Sequence, residues 1–210
     1  MKVSLENNAV LSCHNLSYSI GFKKIIKNSS FTINAGEVVA LAGDNGSGKS
    51  TLLKLIIKKN SSFVWNREFL RKNSLYPVSY LGHEPGLYTS LTLEENISYF
   101  SSVSALPPRM ELVEKLLTIF NLKHRLHDPV YTFSRGMLQK AALIRTLLMP
   151  AALYLLDEPY TGLDEKSANE LNGIITSLKG NASVLLVVHD TELINKIAGR
   201  VLKLENGVIH

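Results

Sequence analysis

The residues best equipped for chemistry lie at 43–50, GDNGSGKS, where one lysine and two serines sit among three glycines. The spacing fits G-x-x-x-x-G-K-[ST] at Gly43, Gly48, Lys49 and Ser50. Glycines let a backbone turn tightly around an anion, so that successive N–H groups point inward at phosphate oxygens. The helix that follows adds its positive N-terminal end. On this reading Gly43, Asp44, Asn45, Gly46, Ser47, Gly48, Lys49, Ser50 and Thr51 cradle a nucleoside triphosphate. Lys49 neutralises the β- and γ-phosphates, and the Ser50 hydroxyl is a ligand for Mg²⁺.

A second group of candidates closes later apolar runs. LYLLDEP ends on Asp157 and Glu158, and the carboxyl edge of a parallel sheet is where ligands sit. There Asp157 can hold Mg²⁺ through its water shell, and Glu158 can polarise an attacking water as general base. VVHD brings His189 to the end of another apolar run, where an imidazole could contact a γ-phosphate; TGLD sets Asp164 after a turn at Gly162. Each also has a plainer reading: a solvated turn, an ordinary strand-end histidine, and for FSRGM a helix N-cap at Ser134. Their company in one chain gives them weight.

The elements that must position these residues can be read from periodicity. EVVALAG at 37–43 predicts a strand buried on both faces; Ser50 to Lys58 predicts a helix with Leu52, Leu53, Leu55 and Ile56 on its apolar face. Residues 1–36 read as short strands, and FVWN and VSYLGH as further ones. From Glu94 to about Leu126 the pattern is helical, with Leu112, Leu116, Leu117 and Phe120 on one side. SRGMLQKAALIRTLL is a helix stopped by Met149-Pro150. A strand, a helix, a strand and a helix follow, and RVLKLENGVIH closes as a hairpin turning at Asn206-Gly207. Alternating apolar strands and helices argue an α/β fold with a parallel sheet covered on both faces. The helix-rich stretch at about 90–150 reads as an insertion within a single domain spanning 1–210.

Composition narrows the classes. With 45% hydrophobic and 20% charged residues in 210, the chain can bury a sizeable core. The net charge of +5 comes from scattered Lys and Arg with no basic run, so no nucleic-acid partner is expected. One cysteine, Cys13, cannot form an internal disulfide, which suits a reducing compartment. No apolar stretch reaches the ~18 residues of a membrane span, and MKVSLENNAV opens no signal-peptide core. A cytoplasmic chain is expected, peripheral on the cytoplasmic face of the cell membrane if a partner holds it there.

The order GDNGSGKST, FSRGM, LYLLDEP, TGLD, VVHD resembles the ATP-binding subunit of ABC transporters over nearly the whole chain. The discriminating element is Ser134-Arg135-Gly136-Met137, similar to that family's signature loop, usually L-S-G-G-Q. The resemblance implies a P-loop NTPase fold: a mainly parallel sheet core, an N-terminal antiparallel β subdomain and an inserted helical subdomain. It also implies two copies facing head to tail, with ATP between one copy's phosphate loop and Ser134 and Gly136 of the other. Glu158 and His189 would then support hydrolysis, Asp164 would link the two sites, and a membrane permease on a separate chain would be driven by ATP and Mg²⁺.

Two positions depart from the family pattern. Spacing to Leu87 and Asn96 puts His83 where the family usually has a Mg²⁺-contacting glutamine; an imidazole can accept from a metal-bound water. An adenine-stacking aromatic is expected near Ile20, where Tyr18 and Phe22 are the available rings; either could stack or belong to the core. YLGH-x-PGLYTSLTLEEN with SRGM looks closest to the haem-exporter ATPase that serves cytochrome c maturation. Drug and lipid exporter ATPases share similar features. A non-transport ATPase acting on ribosomes or DNA is disfavoured by a single phosphate loop and no room for a long coiled coil, and a regulator without turnover by intact Glu158 and His189.

Overall fold

A computed structural model describes residues 8–58, 60–72, 76–103 and 107–210. Its first two strands, β1 (Ala9–Ile20) and β2 (Lys23–Asn34), pair antiparallel, and β4 (Phe63–Trp65) adds to the other edge of β1. Two twelve-residue strands replace the short strands expected from the sequence. The register shifts between Cys13 and Leu16 around Asn15 at φ 49°, and Asn28 on β2 stands at φ 40°. Asparagine tolerates this left-handed conformation, and each such residue breaks the period-2 pattern while the ladder continues. Residues 1–7 of the expected N-terminal segment lie outside the described residues.

The main sheet has the order β5-β6-β7-β3-β8-β9, with β3 Val38–Ala42, β5 Tyr76–Leu81, β6 Ala151–Asp157, β7 Ser183–Val187, β8 Arg200–Glu205 and β9 Val208–Ile209. All neighbours run parallel except β8 and β9, whose hairpin turns at Asn206 (φ 51°) and Gly207 (φ 83°) as expected. Every residue of β6 is buried. Its side chains alternate between two cores: Tyr154 and Leu156 face one, Leu153 and Leu155 the other. The second core also takes Leu52, Leu53 and Ile56 of α1 (Lys49–Ile57) and the inner side of the antiparallel sheet. Burial on both faces is why these strands read as continuous apolar runs.

Among the described residues three α-helices intervene between β5 and β6: α3 (Leu93–Ser102), α4 (Met110–Ile119) and α5 (Arg135–Leu148). The single helical run expected from Glu94 to about Leu126 is therefore two helices and a 3₁₀ turn at Lys123–Arg125. Pro107-Pro108 cannot continue a helix, and Asn121 at φ 52° ends α4. Thr92 and Glu95 form a reciprocal capping box that starts α3. A six-residue helix, α2 (Arg67–Lys72), went unread, being too short to show a period; its start is marked by Asn66 Oδ1 accepting from Phe69 N. Helices α6 (Glu165–Leu178) and α7 (Thr191–Ile197) complete the fold. Among the described residues no helix is long and apolar enough to cross a membrane.

The two sheets are tied by Arg200. Its Nε and Nη2 donate to the two carboxylate oxygens of Glu37 at 2.6 and 3.0 Å, and Nη2 also donates to Thr32 O at 2.6 Å. Burial pushes the Glu37 carboxyl pKa up, but the hydrogen bonds from Arg200 and Asn34 N outweigh it and hold the pKa below the usual carboxylate range. A depressed pKa contributes stability that is complete above the unfolded value, about 4.3 for glutamate, and vanishes as pH falls through the folded value. Thermal melts of Glu37→Gln are therefore expected to lie below wild type at pH 7 and to converge on it toward pH 3.

Candidate active site

The phosphate loop leaves the carboxyl end of β3 and enters α1 through Gly48, whose φ of 110° only glycine adopts readily. A side chain there would also meet Ile25 Cγ2 at 2.6 Å, because β2 crosses directly over the loop. Gly43, at φ 148°, is equally confined: a Cβ would stand 2.5 Å from Leu204 O on β8. Lys49 is 6% exposed and its Nζ donates to Gly43 O at 2.8 Å and Asp44 O at 2.9 Å. Of its three donors, two thus fix the ammonium across the loop and one remains for a phosphate oxygen. Burial lowers its pKa, opposed by the charges of Glu158, Asp157 and Asp44.

Three residues far apart in sequence meet beside α1. His83 Nε2 lies 3.4 Å from Ser50 Oγ and 3.6 Å from Asp157 Oδ2. Asp157 ends β6 with its side chain 1% exposed, and neither carboxylate oxygen has a hydrogen-bond partner. A buried carboxylate without hydrogen bonds is costly, and a hydrated cation held between it and the Ser50 hydroxyl would relieve that cost. The residues present therefore fit a magnesium ion. No cluster of three or more His, Cys, Asp or Glu occurs among the described residues, so such an ion would complete its shell with phosphate and water oxygens. His83 is held from behind by Arg145 of α5, which donates to Tyr80 O (2.8 Å) and Pro85 O (3.2 Å) on either side of it.

On the opposite side of Asp157 stands Glu158, at a left-handed φ of 50° that turns the chain sharply out of β6. Its Oε1 is 3.4 Å from His189 Nε2, beyond the end of β7, and its Oε2 accepts from Thr161 Oγ1 at 3.4 Å. Gln139 of α5 donates to the carbonyls of Glu158 (3.5 Å) and Pro159 (3.4 Å). Glu158, Thr161 and His189 line a cleft of about 290 Å³; a second cleft of about 220 Å³ joins His83, Asp157 and Glu158 to Arg135 and Gln139. Neither Gln139 nor Thr161 was singled out in the sequence. Their neighbours in SRGMLQ and YTGLD carried the available signal.

Ser134 caps α5, its Oγ accepting from Met137 N at 3.3 Å, so the plain N-cap reading holds as local structure. Ser134 and Arg135 are exposed. Gly136 packs on the turn at Gly162: a Cβ on it would stand 2.9 Å from Gly162 O. Lys140 Nζ pairs with Asp164 Oδ2 at 2.7 Å, and Asp164 caps α6 through Ser167 N. Hydrogen bonds from Lys140 and Ser167 hold the Asp164 carboxyl far below the usual range. Of the two adenine-stacking candidates, Tyr18 is half-buried against the second core and Phe22 is fully exposed at the β1–β2 tip. The side chain found over the phosphate loop is Ile25.

This arrangement has close parallels. Residues 26–161 match the ABC transporter family. The chain is 34% identical over 166 residues to "Cytochrome c biogenesis ATP-binding export protein CcmA" of Cupriavidus pinatubonensis, covering 76% of this chain and 74% of that protein. It is 28% identical over 202 residues to "Zinc import ATP-binding protein ZnuC" of Wigglesworthia glossinidia brevipalpis, covering 95% and 84%. A solved structure described as the ATP binding subunit of an ABC transporter superposes with a TM-score of 0.82 at 30% identity, covering 95% of this chain and 88% of its own. With a phosphate loop, a buried strand-end aspartate and a histidine-paired glutamate converging at one sheet edge, the chain belongs to the ABC transporter family, as its ATP-binding and ATP-hydrolysing subunit.

Proposed function

We propose that this chain hydrolyses Mg²⁺-ATP between two copies of itself to drive a separate membrane permease of the haem-exporter type. The observation that carries the site assignment is the convergence of Ser50, His83 and Asp157 on one side of β6 and of Glu158 and His189 on the other. The loop N–H groups and Lys49 bind the phosphates. Ser50, Asp157 and His83 would hold Mg²⁺, which would supply charge neutralisation to the triphosphate. Glu158 takes the proton of the attacking water, and His189 fixes its carboxylate on one side while Thr161 fixes the other. The exposed N-terminus of α5, with Ser134 at its tip, offers N–H donors to the triphosphate of the second copy.

A permease surface is supported by exposed aromatics on the β5–α3 connection and α3. Tyr88 and Tyr99 are 47% and 39% exposed, join through their hydroxyls at 3.1 Å, and pack with Phe100. Such a patch suits an apolar coupling segment, and it would hold the chain on the cytoplasmic face of the cell membrane. The cargo reading rests on the YLGH-x-PGLYTSLTLEEN segment together with the CcmA relative. Drug or lipid export is the alternative.

Lys49→Ala is expected to abolish binding of a fluorescent ATP analogue, since it removes the cation buried in the loop. Glu158→Gln should keep that binding, lower the hydrolysis rate by about 10²–10⁴-fold, and accumulate a nucleotide-bound dimer on size exclusion; turnover at the wild-type rate would refute the base assignment. For cargo, deleting the gene should remove covalently bound haem from c-type cytochromes on haem-stained gels. Unchanged staining would favour drug or lipid export.

A further inference from the structure

A cleft of about 580 Å³ opens where the end of α4, the 3₁₀ turn at Lys123–Arg125, the first half of α5 and the start of α6 meet. It shares no lining residue with the two clefts at Asp157 and Glu158. We propose that it binds a small organic anion carrying two or more charged oxygens, separately from the nucleotide.

The lining sets the charge of the ligand. Arg125, Lys140 and Lys166 bring three permanent cations to the cleft, with His124 beside them, against the single carboxylate of Asp164. That carboxylate is already engaged: it accepts from Lys140 Nζ at 2.7 Å, Ser167 N at 2.9 Å and Ser167 Oγ at 3.0 Å. The cations keep donors in reserve. Lys140, its side chain 14% exposed, has three N–H groups and one acceptor among the described residues. Arg125 pairs through Nε with Asp128 Oδ2 at 2.6 Å and donates through Nη2 to Thr132 Oγ1 at 3.1 Å. These contacts hold the guanidinium still and leave Nη1 without a hydrogen-bond partner among the described residues. His124 and Lys166 are exposed, and neither joins an ion pair or side-chain hydrogen bond among the described residues. A fixed guanidinium beside a largely buried ammonium is a receptor built for oxyanions.

The walls set its shape. The volume lies within the range of small-molecule sites, which combine apolar walls with a few placed polar groups. Phe120 and Leu122, 2% and 1% exposed, back the cleft behind the charged rim. A ligand with an apolar body and charged ends therefore fills it better than a bare phosphate ion. Such a ligand spans the turn at Lys123–Arg125 and the start of α6, so its binding stabilises the folded chain.

Naphthalene-1,3,6-trisulfonate, a flat apolar body bearing three fixed anions, serves as the probe, with saturating Mg²⁺-ATPγS present to fill the nucleotide site. In ¹H–¹⁵N spectra of the full chain, saturable amide shifts should centre on residues 118–125 and 164–167 and spare 43–51. Lys166→Glu should weaken the affinity about tenfold. Lys179→Glu, the same charge reversal just past the far end of α6, should leave it unchanged. Shifts centred on 43–51, no saturation at millimolar probe, or equal losses in the two variants would each overturn the proposal, the last by showing attraction to overall charge alone. Should Lys166→Glu fail to fold, the wild-type shift map decides alone. Failure of ATPγS itself to shift 43–51 would count against the nucleotide site and leave the test of this cleft intact.

Discussion

A carboxylate at the end of a strand with no solvent on either face is expensive, and Asp157 is the residue around which the rest of the site is arranged. Its burial follows from β6 lying between β5 and β7 with a core on each side. Compensation must come from groups beyond the strand end. Lys49 brings one charge from the loop after β3, His83 brings a nitrogen from the loop after β5, and Ser50 offers a hydroxyl from the first turn of α1. They come from two crossovers, the one after β3 and the one after β5, so the parallel topology itself delivers them to one edge. The glycines of the phosphate loop answer the same constraint from the other direction. They let backbone donors crowd under β2 and β8, where a Cβ at Gly43 or Gly48 would collide.

The next residue, Glu158, is a second acid acting on Lys49. Glu158 follows Asp157 directly, and from its left-handed backbone its carboxylate meets His189 and Thr161. Adjacent acids thus take different side-chain partners, Asp157 the imidazole of His83 and Glu158 those of His189 and Thr161. Residues held in such a backbone conformation are costly and persist where the surroundings fix them. Here the fixing comes from Glu158 N to Val187 O on one side and Gln139 on the other.

Much of this was legible in the sequence because the relevant signals are local. The apolar runs of β3, β6 and β7 and the glycine spacing at 43–50 are properties of short segments, and they placed Lys49, Ser50, Asp157 and Glu158 correctly on the sheet edge. Other features depend on packing between distant segments. Nothing near Ile25 announces that β2 will roof the phosphate loop, and nothing near Arg145 announces that it will brace the carbonyls around His83. The long strands β1 and β2 were hidden by asparagines at left-handed positions, and Pro107-Pro108 split a helical pattern that periodicity alone had joined.

The contacts along α5 have a mechanical consequence. Near its start, Gly136 abuts Gly162, Gln139 holds the carbonyls of Glu158 and Pro159, and Lys140 grips Asp164. Further along, Arg145 clamps the connection that carries His83 and leads to the aromatic patch at Tyr88. Gln139 and Arg145 are six residues apart on one helix, about 9 Å of axial rise. One short, stiff helix therefore braces both the turn at Glu158 and the connection that leads to Tyr88, so the two share a single support.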